Sequence, residues 1–446
     1  MFQLFDQSFE SIAAQCQSDE AFSLSIHAEE SDYIRFNHAR VRQTGHVCQA
    51  EATLFFQKAS TKSIALSLSL TDDVSLNTQR LCDALIKARH LAETVHDDPY
   101  LVPFTMCESS EAGFEADLPS VEETVAFIAQ TAHDLDLVGL LTQGRVFRYV
   151  RHTKGVRHTF KTHSLVFDYS VYGERTNEGK IQSVKQIVYA TRDAHMSIHE
   201  SLVKARQQLC DLAKPTTVLA PGNYRVYLEP AAVCDILSLF SWNGVSAASY
   251  KKGVSALTQW IDGKVTLSPC ISFSDDFTIG LVPRFNNNGE CVPICLPIAD
   301  KGQFLHMIVS SRTAKEYGLE STCATDGEGL RSIHMATGSL RKEDILKVLD
   351  TGIYISNVHY LNWSDPNSAR ITGMTRFACF WVENGVIKGP IQDMRFDDSI
   401  YSLFGDAVEG VTNFVEKLPE TGTYDERSIG GSCVSGLLLK RMSFTL

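Results

Sequence analysis

Across the first two hundred residues, stretches of alternating apolar and polar side chains give way repeatedly to stretches with apolar residues three or four apart. Alternation puts successive side chains on opposite faces and predicts strands, whereas the longer period predicts helices. Residues 22–28 and 33–36 read as a hairpin-like pair of strands, and 48–56 and 63–70 continue with period two. Residues 72–96 switch to helical period, with Leu81, Leu85, Ala88, Leu91 and Val95 on one face, and Asp97-Asp-Pro-Tyr100 stops them. A second helix is predicted over 120–137, opened by a capping box of Ser120 and Glu123. Strands return at 145–150, 156–161, 164–171 and 185–190, and a helix over 194–212 closes this half.

The stretch 214–222 is rich in proline and glycine, as a linker would be, which divides the chain near residue 215. Residues 1–214 form an N-terminal α/β unit of mixed α+β character, and 215–446 differ in pattern. This second half has more β-branched residues and turn glycines, with helices at 231–240 and 342–350. Short strands are predicted at 278–282, 304–309, 353–358, 376–382 and 437–440. Many strands with few helices imply an α+β chain whose C-terminal domain is β-rich and antiparallel, with a sandwich or barrel-like core.

Composition narrows the function classes. The 446 residues are long enough for two or three domains, and 44% hydrophobic with 21% charged residues is ordinary for a soluble protein. The net charge of −12 opposes a phosphate backbone, so nucleic acid is excluded as the main partner. Local basic runs, Arg35/Arg40/Arg42 and Arg145/Arg148/Arg151/Lys154/Arg157, read as solvated strand faces. The twelve cysteines form no Cys-x-x-Cys pair and sit mostly in apolar surroundings, as small hydrophobes do. The first residues carry acidic groups and no basic, apolar leader pattern, and no run reaches the ~18 apolar residues of a membrane span. These features together lead to the expectation of a reducing cytoplasm and no membrane partner.

Candidate chemistry is sparse. His195 and His199 stand four apart on a predicted helix and could face one metal, but Glu200 follows the second histidine instead of the first. The pair therefore reads as two surface histidines. Cys291 and Cys295 offer two thiolates with only His306 nearby, short of the four ligands of a structural zinc site, and read as buried strand cysteines. The Gly-rich stretches 326–329 and 430–433 are not nucleotide-binding loops, and no Gly-x-Ser-x-Gly elbow occurs. Cys433, in Gly430-Gly-Ser-Cys433, reads as exposed in a flexible turn, where it could act as nucleophile or ligand. No complete catalytic constellation emerges.

Several segments in order resemble the TldD/PmbA family: Arg35-Phe-Asn-His-Ala-Arg-Val-Arg-Gln-Thr-Gly45, the helix and Asp-Pro turn at 86–100, Pro221-Gly-Asn-Tyr-Arg-Val-Tyr-Leu-Glu-Pro-Ala231 and Lys252-Gly-Val-Ser-Ala256. The strongest stretch is 333–390, with Thr351-Gly-Ile-Tyr-Ile355, Thr372-Gly373 and Val382-Glu-Asn-Gly-Val-Ile-Lys-Gly-Pro390 in family order. Active members carry His-Glu-x-x-x-His on the first helix of the second domain and a third zinc ligand, a cysteine, near the C-terminus. Counting back from Gly253 places that motif at Ser238, Leu239 and Asn243, which supply neither ligand nor base. Cys433 falls near the third ligand and is the possible residual one. The family's Asp-Glu-Gly is altered to Asn286-Asn-Asn-Gly289.

This pattern is similar to the PmbA/TldE branch, whose older label is modulator of DNA gyrase. The resemblance implies a subunit with no catalytic residue and no metal of its own, zinc being expected in the partner. The implied partner is a TldD-like catalytic subunit in a heterodimer, or a second copy in a homodimer, and the implied substrate is an unfolded or modified peptide. Other expectations are a homodimeric, non-enzymatic peptide-binding protein, or a hydrolase with a divergent site using His195, His199 or Cys433.

Overall fold

The computed structural model describes residues 2–175 and 181–445. The first half comprises α1 (Phe2–Ala13), β1 (Glu20–Asn37), β2 (Arg40–Lys58), β3 (Lys62–Leu70), α2 (Val74–Ala92), β4 (Ser110–Phe114), α3 (Val121–Thr131), β5 (Asp136–His152), β6 (Arg157–Arg175), β7 (Ile181–Ala190) and α4 (Ala194–Leu212). One seven-stranded sheet runs β3-β2-β1-β5-β6, with β4 and β7 both pairing β6. All of its neighbours are antiparallel except β4 with β6.

The expected hairpin at 22–36 is instead one 18-residue strand. Glu29-Glu-Ser-Asp32 has turn-like composition, but each of these residues is paired on both flanks, to 46–49 of β2 and 143–146 of β5. Sheet pairing satisfies the backbone on both sides there and overrides the local tendency to turn. The helix expected over 120–137 keeps its capping box but ends at Thr131, because Leu137 and Leu141 are drawn into the sheet's apolar face.

That face is covered by helices. Phe22, Leu24 and Ile26 of β1 pack on Phe5, Phe9 and Ile12 of α1 and Leu81 and Leu85 of α2. Further along, Ile34 and Phe36 meet Ile128 of α3 and Ile198 and Leu202 of α4. The opposite face carries Ser23, Ser25, Glu29 and Ser31, which are polar yet buried. Such residues stay buried only when another part of the protein satisfies them. Asn287 of the second half accepts from the hydroxyls of Ser23 and Ser25 and the Arg427 N–H donates to Glu29, whereas the Ser31 hydroxyl has no partner among the described residues.

The second half contains β8 (Gly222–Leu228), α5 (Pro230–Ser241), β9 (Phe273–Asp276), β10 (Cys295–Asp300), β11 (Gln303–Phe304), β12 (Ser332–Met335), β13 (Gly352–Asp365), β14 (Arg370–Glu383), β15 (Val386–Pro390), β16 (Arg395–Ser399), β17 (Val408–Val411), β18 (Glu416–Pro419), β19 (Gly431–Val434) and β20 (Leu437–Phe444). Strands β13, β8, β20, β16 and β14 pair in that order, and β14 pairs back to β13. This closes a five-stranded barrel and removes its edges. A second sheet runs β11-β10-β9-β12-β19-β18. The chain is thus α+β, with the barrel-like, mainly antiparallel second half that its sequence implies.

The strand expected at 278–282 is a 3-10 turn over Phe277–Ile279, since Asp276 accepts the Thr278 N–H and Gly280 takes φ 77°. The strand expected at 304–309 is reduced to Gln303–Phe304. The basic run is not a solvated face either. Arg148 is buried, while Arg151 and Arg157 converge on Asp6 of α1 at 3.2 and 2.9 Å. The cysteines are all free, but Cys48, Cys107, Cys210, Cys270 and Cys295 are exposed and only Cys379 and Cys433 buried. At Cys48 of β2 and Cys295 of β10 apolar sequence neighbours misled, because strand neighbours point to the opposite face. Among the described residues no helix is long and apolar enough to cross a membrane.

Candidate functional site

Helix α5 starts with Pro230 in its first turn, where the missing N–H costs nothing. Glu229, just before it, is buried and accepts from Lys204 Nζ (2.7 Å) and Gln208 Nε2 (3.2 Å) of α4, tying the two halves together. The helix lies between barrel and second sheet. Ile236, Leu237, Leu239 and Phe240 share one core with Ile353 and Phe396 of the barrel and Phe273 and Ile333 of the sheet.

The three positions expected to match the family motif sit in different surroundings. Ser238 is exposed, its hydroxyl donating to Asp235 O at 2.6 Å. Leu239 is 2% exposed, inside the core. Asn243 follows the helix in left-handed backbone (φ 60°), its Oδ1 accepting from Ser249 Oγ at 3.1 Å.

Cys433 lies on β19, buried, and not in an exposed turn as its glycine-rich context suggested. Gly431 takes φ 138° and a Cβ there would sit 2.3 Å from Leu418 O, so the glycines serve tight packing of β18 on β19, not flexibility. Cys433 pairs with His334 on β12 and Lys417 on β18. Its neighbour Ser432 contacts the Cys234 thiol on α5. Alternation along the strand therefore turns Cys433 away from α5. Burial raises its thiol above the ordinary value.

His195 and His199 start α4. The His195 ring stacks on Phe127 at 4.3 Å with its Nε2 buried and without a partner, whereas His199 and Glu200 are exposed. Cys295 is exposed on β10, and Cys291 lies 3.8 Å from the His158 ring nitrogens, so the pair does not form buried strand cysteines. Among the described residues no group of three or more His, Cys, Asp or Glu is placed to hold a metal ion.

Sequence reasoning missed Asp235, an acid one turn into an apolar helix. Burial pushes its carboxyl up to about 7, the Val358 N–H at 3.4 Å opposing this only weakly. The folded value lies above the ordinary one near 4, so the fold prefers the neutral acid. That preference is fully present below pH ~4 and is lost as pH rises through ~7. Asp235→Asn, neutral throughout, should match the parent near pH ~4 and exceed it by about 2–4 kcal/mol near pH ~8. Urea titrations at the two pH values check this, and a pH-independent difference would refute the assignment.

A polar cleft lies on the face of the first sheet opposite the helices. Its floor is a cross-strand row in which Glu51 of β2 pairs with His27 of β1, which pairs with Arg148 of β5. Two segments of the second half form its roof. In one, Asn286 Oδ1 accepts from the N–H groups of Asn288 and Glu290, making a tight turn that ends at Gly289. Gly289 takes φ 79°, and a Cβ would lie 2.9 Å from His152 Cδ2. Its carbonyl accepts from the buried His158 Nε2 at 2.9 Å, so the altered Asn-Asn-Asn-Gly motif is an anchor for this loop. In the other, Arg427 is buried and donates to Gly144 O, Ser164 O and Ser164 Oγ. Glu426 beside it contacts His27 Nδ1 and Arg148 Nη2, each at 3.1 Å. Burial works against the ionised form of Glu426, but those two partners outweigh it and hold the carboxyl below the usual range. Two connected cavities result, about 550 and 320 Å³, sharing Ser25, His27, Asn287 and Glu426.

The residues matched by the PmbA/TldA metallopeptidase C-terminal domain family are 221–445, half of the chain and the whole barrel-containing unit. That match defines the class of protein as metallopeptidase-like. The chain belongs to the TldD/PmbA family. Its fold is similar over essentially the whole length to TldE from Thermococcus kodakarensis (15% identity, 100% of both chains, TM-score 0.76). It is likewise similar to proteins described as modulators of DNA gyrase from Thermotoga maritima (15%, 99% of both chains, 0.76) and Bacteroides thetaiotaomicron (13%, 99% of this chain and 97% of that one, 0.73). No curated protein sequence matches the chain.

Proposed function

We propose that this chain is the PmbA/TldE-like, non-catalytic subunit of a cytoplasmic zinc metallopeptidase complex, pairing with a TldD-type subunit that holds the metal and processes peptides. The observation that carries this reading is α5. Where active relatives place two zinc-binding imidazoles and a general base, this helix has an exposed serine, a core leucine and a capping-region asparagine. Hydrolysis at such a site needs a ligand set to hold the ion and a base to take the proton from its water. Neither the Ser238 hydroxyl nor the Leu239 side chain supplies them, and Cys433 faces away.

The test is affinity capture of the tagged chain from its native cell extract, with zinc measured on the purified lone protein. Recovery of a partner bearing His-Glu-x-x-x-His, with zinc well below one per chain, is the expected result. Stoichiometric zinc in the lone chain would favour a divergent hydrolase. Capture of a second copy alone would favour a homodimeric peptide-binding protein.

A further inference from the structure

We infer that Cys107 and Cys291 are a covalent modification site, a thiol pair that a low-molecular-weight disulfide converts into a bond between the two halves of the chain. The inference is independent of the subunit reading above, since it uses only these cysteines and their surroundings.

The two thiols come from segments far apart in sequence and meet on one imidazole. Cys107 Sγ and Cys291 Sγ each lie 3.8 Å from His158 Nε2, so the sulfurs are at most twice that distance apart. A disulfide requires them to close to about 2 Å. Cys291 is the fixed member, since it pairs with Phe285 in an isolated β-bridge that closes the anchored 286–290 turn. Cys107 is the movable one. Residues 101–109 belong to no helix or strand, and 103–108 make no backbone-to-backbone hydrogen bond among the described residues. The exposed Cys107 thiol donates to Gly289 O at 3.2 Å, a weak bond that opposes its movement little. A third thiol, Cys323, acts on Cys107 less strongly than Cys291 does. Its backbone is also tied on both sides, the N–H donating to Ser321 Oγ and the carbonyl accepting from Asn286 Nδ2. The Cys107–Cys291 bond would therefore fasten the 101–109 segment of the first half to the turn that roofs the cleft.

His158 does not act as the base. Its Nε2–H donates to Gly289 O and its Nδ1 accepts from the Ser110 N–H and hydroxyl, so no lone pair is left. Each thiol gives its proton to solvent instead. The Cys107 thiolate attacks the small disulfide, forming a mixed disulfide and releasing one small thiolate. The Cys291 thiolate then attacks the Cys107 sulfur, forming the protein bond and releasing the second small thiolate. Two protein thiols are oxidised by two electrons, and one small disulfide is reduced to two thiols. Burial raises both protein thiols above their ordinary values, the Arg284 guanidinium and the Ser110 hydroxyl opposing it at Cys291. Exchange is accordingly slow at neutral pH and faster near pH ~8.5, where more thiolate is present.

The experiment is incubation of the full-length chain with oxidised glutathione at pH ~8.5, followed by blocking of free thiols and peptide mapping by mass spectrometry without reduction. A linked Cys107–Cys291 peptide is expected in more than about half of the chains, because the neighbouring thiol displaces glutathione from Cys107. The exposed Cys48, Cys210, Cys270 and Cys295 should instead keep their glutathione adducts. Cys291→Ser should trap glutathione on Cys107, and Cys107→Ser should yield no linked peptide at Cys291. In the parent, Cys107 left free, carrying glutathione or linked to Cys323 would each overturn the inference. That mapping needs neither variant to fold.

Discussion

Leu239→Glu is expected to destabilise the chain by about 4 kcal/mol or more, a larger loss than any exposed change on the same helix. Leu239 is enclosed by the core that α5 shares with barrel and sheet, and that core offers no cation to pair a carboxylate. An unpaired buried charge costs ~3–5 kcal/mol even after relaxation, and the leucine's own burial, worth ~2 kcal/mol, is lost as well. Ser238→Ala, on the exposed face, should move stability by less than about 0.5 kcal/mol. The decisive comparison is the triple variant Ser238→His, Leu239→Glu, Asn243→His, which restores the family motif by composition. It should be less stable than the parent in urea and fail to hold zinc. A triple variant of parental stability with one tightly bound zinc would show that α5 tolerates the metal-binding arrangement, and would undo the reasoning behind the proposed function. A carboxylate at 239 would face that core whatever stands at 238 and 243, so restoring the letters is not expected to restore a site.

Arg427→Met is expected to cost about 3–5 kcal/mol and to loosen the roof of the cleft. Replacing a buried charge by a hydrophobe of similar size is often neutral when its partner is a removable side chain. Here the partners include the carbonyls of Gly144 and Ser164, which remain in place and lose their donor. Each stranded buried acceptor costs ~1–3 kcal/mol. The surroundings cannot close over them, since a Cβ at residue 144 would already lie 2.2 Å from Glu30 O. Arg427→Lys keeps the charge but not the forked donors, so it should recover only part of the loss. Urea midpoints measure the stability terms, and limited proteolysis of the 420–430 segment should accelerate in Arg427→Met. Unchanged stability would mean that Arg427 does not join the two halves.

The sequence was most informative where a pattern is local. The capping box at Ser120 and Glu123 formed as read, and the helical period of 194–212 matches α4 residue for residue. The helix expected over 231–240, which is α5, and the strand-rich second half were equally legible. Legibility failed where a residue's state depends on distant chain. The polar stretch 29–32 looks like a turn, and only pairing with both β2 and β5 makes it strand. The basic run 145–157 looks solvated, and Asp6, Glu10 and Glu426, far away in sequence, take up the charges of Arg148, Arg151 and Arg157.

The candidate sites divide in the same way. The absence of zinc ligands at 238, 239 and 243 can be read from the letters, because a side chain without a lone pair of the right kind cannot bind the ion in any fold. Whether Cys433 faces that helix cannot, since a one-residue shift in strand register would reverse its direction. Asp235 also looks ordinary until the barrel closes over it and burial moves its titration toward neutrality. The cleft is the extreme case. Its row of Glu51, His27 and Arg148 is set by sheet register, and its roof comes from residues more than a hundred positions away. Sequence by itself determined the periodicities, the family and which side chains at 238, 239 and 243 could bind a metal, each of which depends on nearby residues or on residue identity. Tertiary structure decided which polar residues are buried, which way each strand side chain points and which charges meet, because long-range pairing sets all three.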